Sequence, residues 1–338
     1  MAGEATFTDT IGRLLSTTRS QVERMVFDVV TTRVPLIHYL MQEKRTKDGG
    51  AYLEAPVMKE VPTVIGAATT SATLAPAFLA PATKTRYAWK NIYAAFMIPG
   101  PDIRKNKGPE KQIDLFGLHL DAAAAGMVEA LGGTSLGLWG SALNDESNEA
   151  VLTSLLNLLK SSDNTTGTTG GLNRTNTWWR NQLNTGTAIT DFSANGLDRL
   201  RAGHFAARRG NQVPDVCVTT TTTLRNLYNA LQANFRYNLP QEYRLSSRRT
   251  VDVGADDIGF HGAILLDDAN AEASTWRGIN TYSLYMVFDT ESFMAIQPFV
   301  SMYPGEHIDG VGSMLLCMTN VVCHDLARQY IVTGSDSD

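Results

Sequence analysis

Two neighbouring aspartates, Asp267 and Asp268, are the residues whose types and spacing best suit chemistry, because they follow the apolar run AILL. Carboxylates at the end of a strand are typical ligands of divalent cations, and together with His261 they would fit a metal-dependent hydrolase. The other interpretation is a polar turn after a buried strand, where aspartate is common. No further ligand motif accompanies the pair, so we favour the turn.

The histidines and cysteines offer little more. The six histidines form neither HxxxH nor HExxH. His324 stands between Cys323 and Asp325, but successive strand residues point to opposite faces, so these side chains should not converge. No serine or cysteine is predicted to lie in a GxSxG or similar nucleophile elbow, and no GxxxxGK[ST] phosphate loop occurs. We therefore predict no catalytic residue, no metal ligand and no cofactor, and we expect the protein not to be an enzyme.

The composition is that of a folded protein with an acidic balance. Of 338 residues, 43% are hydrophobic and 19% charged, and the net charge is −5, whereas a domain that grips nucleic acid usually has a basic bias. The three cysteines are odd in number and lack CxxC spacing, which indicates a reducing compartment rather than a disulfide framework. The start of the chain shows no signal pattern, so we expect synthesis in the cytoplasm.

Residues 61–83 carry no charge. This length could span a bilayer, but three prolines and five threonines make the segment too polar, and we predict no membrane span. The flanking stretches AYLEAPVMKEVPTVI and TRYAWKNIYAAFMI have strand-like patterns. Two legs of roughly 20 residues could reach about 60 Å. Such an excursion could not be buried by its own subunit and would have to lie on a neighbour.

The clearest helix is predicted over residues 108–132, with Pro109 in its first turn and two glycines ending it. A second helix is expected within 192–209 and a third in TTLRNLYNALQANFRY. Strands are expected in PDVCVTT, DIGFHGAILLDD, TYSLYMVFDTESFMAIQPF and SMLLCMTNVVCHD, whereas SSDNTTGTTGGLNRTNT is typical of a polar surface loop. The mixture indicates an α+β fold.

The order of these pieces resembles the major capsid proteins of tailed bacteriophages, which have the Hong Kong ninety-seven-type fold. The resemblance runs over about the whole chain and is carried by PLIHYLMQEKRTKDGGAYLEAPVM, TRYAWKNIYAAFMIPGPDIRKNKG, IDLFGLHLDAAAAGMVEALGG, NTWWRNQL, VPDVCVTTTTTLRNLYNAL, IGFHGAILLDDANA and NTYSLYMVFD.

The resemblance implies a fold made of five parts. They are an N-terminal arm over 1–45, an extended β-hairpin loop over 46–107, a peripheral domain with a long spine helix over 108–135, a mainly axial domain over 136–300, and C-terminal strands that return to the peripheral domain, with a loose tail, over 301–338. In such families the arm and the loop contact neighbouring subunits, and the axial domain surrounds five-fold and six-fold axes.

The implied function is that of a major capsid protein, which self-assembles into pentamers and hexamers of an icosahedral head around double-stranded DNA. Its partners would be copies of itself, a portal, and scaffolding or decoration proteins, with packaged DNA as a weak, non-specific contact that suits the acidic charge. It would be made in the bacterial host cytoplasm and reside in the virion. Two alternatives stay open: an encapsulin-like compartment shell, and the metal-dependent hydrolase considered above.

The residues expected at intersubunit contacts fall into three groups. Charges near the uncharged tip could set register on a neighbour, apolar tip residues would be covered by it, and tryptophans could anchor ring contacts, although core packing is the other interpretation for the tryptophan pair. In that order they are Glu54, Lys59, Glu60, Arg86 and Lys90; Val64, Ile65, Leu74, Phe78 and Leu79; and Trp89, Trp178 and Trp179. The arginines of 199–209 are candidates for assembly contacts, or for DNA, or for plain solvated charge.

Overall fold

The computed structural model of the chain combines helices with several β-sheets, and it describes residues 34–42, 45–60, 80–105, 109–140, 150–184, 189, 192–232, 260–302 and 308–334. The helices are α1 Pro35–Gln42, α2 Gly100–Lys105, α3 Pro109–Gly132, α4 Leu155–Leu158, α5 Leu197–Ala207 and α6 Thr221–Gln232. The strands are β1 Arg45–Lys47, β2 Leu53–Met58, β3 Ala82–Tyr87, β4 Lys90–Pro99, β5 Thr168–Thr169, β6 Leu172–Asn173, β7 Gln182–Asn184, β8 Val216–Thr219, β9 Ile264–Asp267, β10 Thr275–Ile279, β11 Leu284–Asp289, β12 Ala295–Ile296, β13 Val300–Ser301, β14 Gly310–Cys323 and β15 Tyr330–Thr333. The α+β class expected from the sequence is confirmed.

The 14-residue strand β14 organises a six-stranded sheet. Along one edge it pairs antiparallel with β4, from Gly310 opposite Pro99 to Thr319 opposite Lys90. Along its other edge β13, β12 and β11 pair with it in turn, and β1 pairs in parallel with β11. Because it has antiparallel partners on both edges, the backbone polar groups of β14 are satisfied over most of its length.

Helix α3 packs against β4 through its apolar face. The side chains that are buried in this face recur at three- and four-residue steps: Leu120, Ala124, Met127, Val128 and Leu131. Fully burying one such large apolar side chain contributes ~1.5–3 kcal/mol. The helix ends at Gly132, where an added Cβ would lie 2.3 Å from Cγ1 of Val34, so the glycine lets the chain entering α1 approach closely. The structure thus contains the helix predicted over 108–132.

A five-stranded sheet has the order β7, β15, β10, β8, β9, and α5 packs on β15. The ring of Tyr330 fills its centre, where Trp276 Nε1 donates a 2.9 Å hydrogen bond to the tyrosine oxygen. A Cβ added at Gly278 would lie 1.8 Å from the same ring, so glycine is required there. The sequence patterns predict β8, β9 and the helices α5 and α6, but they do not predict β10 or β15.

The two sheets divide the chain differently from the expected boundaries. β11 and β12 lie within 136–300, expected to be mainly axial, yet both belong to the six-stranded sheet with β14. β15 lies within 301–338, expected to return to the peripheral domain, yet it pairs with β10 in the five-stranded sheet. After Cys323 the chain therefore leaves the six-stranded sheet and enters the five-stranded sheet as β15. No change in composition marks this passage.

The excursion expected over 46–107 begins as the antiparallel ribbon β2–β3, with Leu53 opposite Tyr87. Leu53, Ala55 and Val57 are buried in the chain's own core, so the base of this segment is not outstretched, which corrects the expectation. Tyr87 Oη also donates to the carbonyl of Cys323 at 2.9 Å. After β3 the chain rejoins the body as β4, and the tip over 61–79 lies outside the described residues.

The glycine- and threonine-rich loop is held from within by Arg174, whose side chain is fully buried. Its guanidinium donates to four uncharged acceptors: Thr169 Oγ1 (2.8 Å), Asn181 Oδ1 (3.0 Å), and the carbonyl oxygens of Asn157 (2.8 Å) and Leu158 (2.6 Å). Burial lowers the pKa of Arg174 to about 10. The loop in turn supports the ribbon, because Arg86 N donates to the Gly170 carbonyl at 2.9 Å.

We expect Arg174→Met to lower the free energy of unfolding by roughly 2–4 kcal/mol, because it leaves several buried acceptors without a donor. Arg174→Lys should lower the free energy of unfolding by nearly as much, because a single ammonium lacks the planar guanidinium that reaches all four acceptors. Urea unfolding of the unassembled protein measures both. The exposed Arg201→Lys serves as control and should change stability by less than about 0.5 kcal/mol. Unchanged unfolding of Arg174→Met would contradict this role.

Candidate assembly surface

The outward face of the β2–β3 ribbon carries a small charged cluster. Glu54 accepts from Lys84 Nζ at 2.8 Å and from Arg86 Nε at 3.2 Å. The hydrogen bond from Lys84 is the main reason that the pKa of Glu54 is lowered from its usual value. Arg86 also lies over the ring of Tyr52, 5.1 Å from its centroid. Exposed ion pairs of this kind add little to stability, and the role of this cluster in setting register on a neighbour stays a prediction.

The other predicted contact residues near the tip are only partly visible. Lys59 Nζ lies 3.5 Å from Glu60 Oε1, at the point where the described ribbon stops. The apolar tip residues lie outside the described residues: Val64, Ile65, Leu74, Phe78 and Leu79. The structure therefore brings together Glu54 and Arg86 and keeps Lys59 and Glu60 next to each other.

Three predicted contact residues lie in the interior of their own subunit. Trp89 is buried and its Nε1 donates to the Gly50 carbonyl at 2.9 Å. Lys90 is buried at the start of β4, and Trp179 is fully buried with its Nε1 donating to Thr169 O at 2.9 Å. None of the three has surface to offer a neighbour, so for these the prediction is wrong. Trp178 is only partly buried and packs against the core.

Sequence reasoning missed the outward face of the six-stranded sheet, which we call the outer sheet face. The register places Tyr93 beside Leu316, Ala95 beside Met314 and Met97 beside Gly312. The apolar side chains of this face are Tyr93, Ala95 and Met97 of β4, Met314, Leu316 and Met318 of β14, Ala295 of β12 and Val300 of β13, and the exposed Asn91 lies on it opposite Met318. None is charged, and the relative exposures reach 69% at Tyr93 and 63% at Val300.

A signal for this face exists in the sequence. The stretch KNIYAAFMIP has apolar residues at both odd and even positions. Ile92 and Ile98 point to the core, and Tyr93 and Met97 point outward. An antiparallel strand with one solvated face normally alternates apolar and polar residues. A strand that is apolar on both faces but exposed on one predicts a partner outside the subunit.

The candidate chemical groups have structural roles. Asp267 accepts from Thr221 Oγ1 at 2.9 and 3.0 Å at the start of α6, and Asp268 is buried and accepts from Trp139 Nε1 at 3.0 Å. Burial raises the pKa of Asp268. Asp325 accepts from Ala327 N and Arg328 Nε, closing a turn. Within the described ranges, no three His, Cys, Asp or Glu side chains converge as a metal site would require.

One stretch, Gly133–Gly137, has the GxSxG spacing but not the nucleophile context. It follows the C-terminal end of α3 instead of joining a strand to a helix. Leu138 N donates to the carbonyl of Leu131 at 2.9 Å, so the segment satisfies a carbonyl at the helix end. A Cβ at Gly137 would lie 2.2 Å from that same oxygen, which explains the glycine.

A pair of stacked histidines lies between α5 and the turn before β9. The rings of His204 and His261 are 5.1 Å apart and inclined by 22°. His204 is 3% exposed, and Phe260 and Tyr330 meet its ring edge-on. Its Nδ1 has no hydrogen-bond partner among the described residues. Burial first, and then the charges of His261 and Arg208, lower the pKa of His204.

Comparisons with solved structures place this fold among phage capsid proteins. No protein-family model and no curated protein matches the sequence. A chain of the cyanophage A-1(L) capsid asymmetric unit matches with TM-score 0.62 and 16% identity, covering 90% of this chain and 93% of that one. A chain of the native GTA particle capsid matches with TM-score 0.56, 12% identity and coverages of 87% and 89%. A chain of the satellite phage P4 procapsid matches with TM-score 0.51, 11% identity and coverages of 99% and 98%.

The chain therefore has the phage major capsid protein fold, as the order of its sequence pieces predicts. The proteins with this likeness are structural components of capsids, and identities of this size establish the fold alone. Among the described helices, none is both long and apolar enough to cross a membrane.

We expect the subunit to lose stability as the pH falls below about 6.5, in part through His204. Its folded pKa is depressed, so the unfolded chain takes up a proton first, and the stability present at higher pH is lost on acidification. Urea unfolding between pH 8 and 5 measures this loss. His204→Phe keeps an aromatic ring between Phe260 and Tyr330, and its stability should fall less on acidification. His119→Gln on α3 is the control for removing a histidine and should lose stability like the wild type. An equally steep loss in His204→Phe would contradict the assignment.

Proposed function

We propose that this protein is the major capsid protein of a tailed phage, which self-assembles into pentamers and hexamers and forms an icosahedral head around double-stranded DNA. The observation that carries the proposal is the exposed, uncharged outer sheet face on a chain with a capsid fold along most of its length. The chain is made in the host cytoplasm, acts as a structural protein and resides in the virion.

The parts of the fold receive their roles from this proposal. The six-stranded sheet with α3 as spine helix is the peripheral domain, and the five-stranded sheet is the core of the axial domain. The part of the arm 1–45 that precedes α1 and the tip of the segment 46–107 contact neighbouring subunits, whereas Leu36, Ile37 and Leu40 of α1 are buried in their own core. A portal and scaffolding or decoration proteins complete the set of protein partners, and the acidic chain keeps packaged DNA as a weak contact.

The physical reason for assembly is the apolar area that a single copy leaves in water. Monomeric proteins rarely expose a contiguous apolar patch larger than a few hundred Å², and larger ones mark interaction sites. Here one face joins side chains from four strands without a charge among them. Burial of each large side chain of this kind contributes ~1.5–3 kcal/mol. In a shell, a second copy buries this apolar face. Large obligate interfaces are apolar for the same reason.

We predict that Tyr93→Glu and Met314→Glu fold normally but fail to assemble, because each puts a charge into an interface that has no partner for it. Circular dichroism checks the fold, and negative-stain microscopy with sedimentation checks assembly, where the wild type should give particles tens of nanometres across. Leu136→Glu is the matched control, since Leu136 is 39% exposed compared with 41% for Met314. Shells of normal size from both sheet variants would remove the outer sheet face from the assembly contacts.

Replacing residues 61–79 with a short Gly/Ser turn should leave a soluble, folded subunit that assembles poorly. The ribbon below the tip is anchored in its own core by Leu53, Ala55 and Val57, so the subunit should survive the change. The tip is uncharged and, in the proposed shell, is covered only by a neighbour. The same microscopy reports the result, and intact shells after the replacement would contradict the use of the tip.

The contents of the particle distinguish a capsid from an encapsulin-like shell of the same fold. Nuclease-protected double-stranded DNA in particles purified from producing cells supports the capsid. An enclosed enzyme without DNA would favour the compartment.

A further inference from the structure

Helix α5 ends in a basic and aromatic surface that the assembly contacts described so far do not use. Its solvent side carries Arg201 and Phe205, and Arg208 and Arg209 follow directly after the helix, all of them exposed. Asp198, in the first turn, is the one carboxylate on this side of α5, so three arginines and one aspartate leave a net charge of +2. We call Arg201, Phe205, Arg208 and Arg209 the arginine patch.

The patch is built on rigid backbone. Arg209 and Gln212 exchange backbone hydrogen bonds of 3.1 and 3.2 Å around Gly210, whose φ is +62°. The neighbouring turn is closed by Phe260 and Ala263 in the same way, at 3.1 and 2.9 Å. Two closed tight turns fix the backbone at Arg209 and at His261 before a partner arrives, which lowers the backbone entropy lost on binding.

The aromatic part of the patch is fixed as well. Phe205 is 55% exposed, and its ring centroid lies 5.3 Å from that of His261. The exposed His261 has a φ of +50°, a left-handed conformation that is uncommon outside glycine. His261 in turn stacks on the buried His204, so Phe205 packs on a ring that is itself held by the interior.

The chemistry of the patch favours carboxylates on a protein partner. Arg201, Arg208 and Arg209 form no ion pair with a carboxylate of the described residues. After Lys160 the chain has thirteen arginines and no lysine. Protein interfaces are enriched in arginine and aromatic residues and depleted of lysine, whereas contacts to a DNA backbone use both cations. An exposed phenylalanine also gains nothing from a row of phosphates, but it is a typical anchor in a protein pocket.

A suitable carboxylate lies at the other end of the same sheet. β8 and β9 are parallel, from Val216 opposite Ile264 to Thr219 opposite Asp267. The turn that carries His261 comes just before β9, so the patch lies at the beginning of this strand pair and Asp267 at its end. Asp267 is exposed, and its hydrogen-bond donor is the uncharged hydroxyl of Thr221. Opposite charges at opposite ends suit a head-to-tail contact, which is the contact that closes rings.

We propose that the arginine patch of one copy docks on the Asp267 end of the five-stranded sheet of a neighbouring copy, within the rings of the shell. This inference rests on the proposed function and names the pair of surfaces that closes a ring. Arg208 and Arg209 supply the charge and Phe205 the apolar anchor.

A charge swap tests the contact. R208E/R209E should raise the protein concentration needed for assembly at least about tenfold, because it sets like charges against each other. Adding Asp267→Arg should restore assembly toward the wild-type level. Asp267→Asn keeps an oxygen for the Thr221 hydroxyl but removes the charge, and it should weaken assembly without loss of folding. Glu291→Arg, which reverses an exposed charge in the turn after β11, away from the five-stranded sheet, is the matched control and should assemble normally. Thermal unfolding checks that each variant is folded.

Each outcome decides the question. Loss of assembly in R208E/R209E with recovery on adding Asp267→Arg supports the contact. Normal assembly of R208E/R209E overturns it, and so does a loss that Asp267→Arg does not repair. If R208E/R209E forms normal shells that no longer retain DNA, the patch binds nucleic acid and the inference is wrong. Failure of the wild type itself to assemble under any condition counts against the proposed function, and this result is distinct from all the others.

Discussion

The six-stranded sheet depends on β14, because this single strand pairs directly with β4, β11, β12 and β13. Its ladder with β4 runs over ten residue pairs, and its opposite edge serves β13, β12 and β11 one after another. A one-residue slip of β14 would turn its core side chains, such as Leu315, to solvent. Burial on the α3 side therefore fixes the register, and the register in turn decides which side chains form the outer sheet face.

The same constraint links the interior to the proposed contacts. The ribbon β2–β3 is attached at the Cys323 end of β14 through Tyr87, while the outer sheet face lies toward Gly312. The loop around Arg174 supports the ribbon through Gly170, so a buried guanidinium helps to fix the base of a segment proposed to reach another copy. Interior packing thus positions the segments that are proposed to make contacts. Substitutions inside the subunit should therefore also weaken the proposed contacts between subunits.

Patterns of apolar spacing predicted the elements that are long or uniform. α3 was found where its three- and four-residue periodicity placed it, and β8, β9 and β14 were found as apolar runs. β10 was missed because TWRGI contains an arginine and a glycine whose roles are tertiary: Gly278 makes room for Tyr330, and Arg277 forms an ion pair with Glu272. β15 was missed because it is four residues long and is recognised only from its partners.

The candidate site was predicted less well than the fold, for a physical reason. A sequence shows that Trp89, Lys90 and Trp179 are large or charged, but only the three-dimensional packing shows that they are buried in their own subunit. The outer sheet face was missed because its members come from two distant parts of the chain, β4 and the segment from β12 to β14, and each of the two long strands alone resembles a buried one. Glu54 and Arg86, which lie opposite each other on one ribbon, were within reach of a local argument.

The outer sheet face contains methionines that oxidation could make polar in the free subunit. Met97 and Met314 are 39% and 41% exposed in the subunit, and in the proposed shell a neighbour would cover them. Conversion of a thioether to a sulfoxide replaces a flexible apolar group with a polar one and disrupts methionine-rich interfaces. If the proposed shell uses this face, oxidation of these methionines in a free subunit would weaken its association, whereas a subunit within the shell would be shielded.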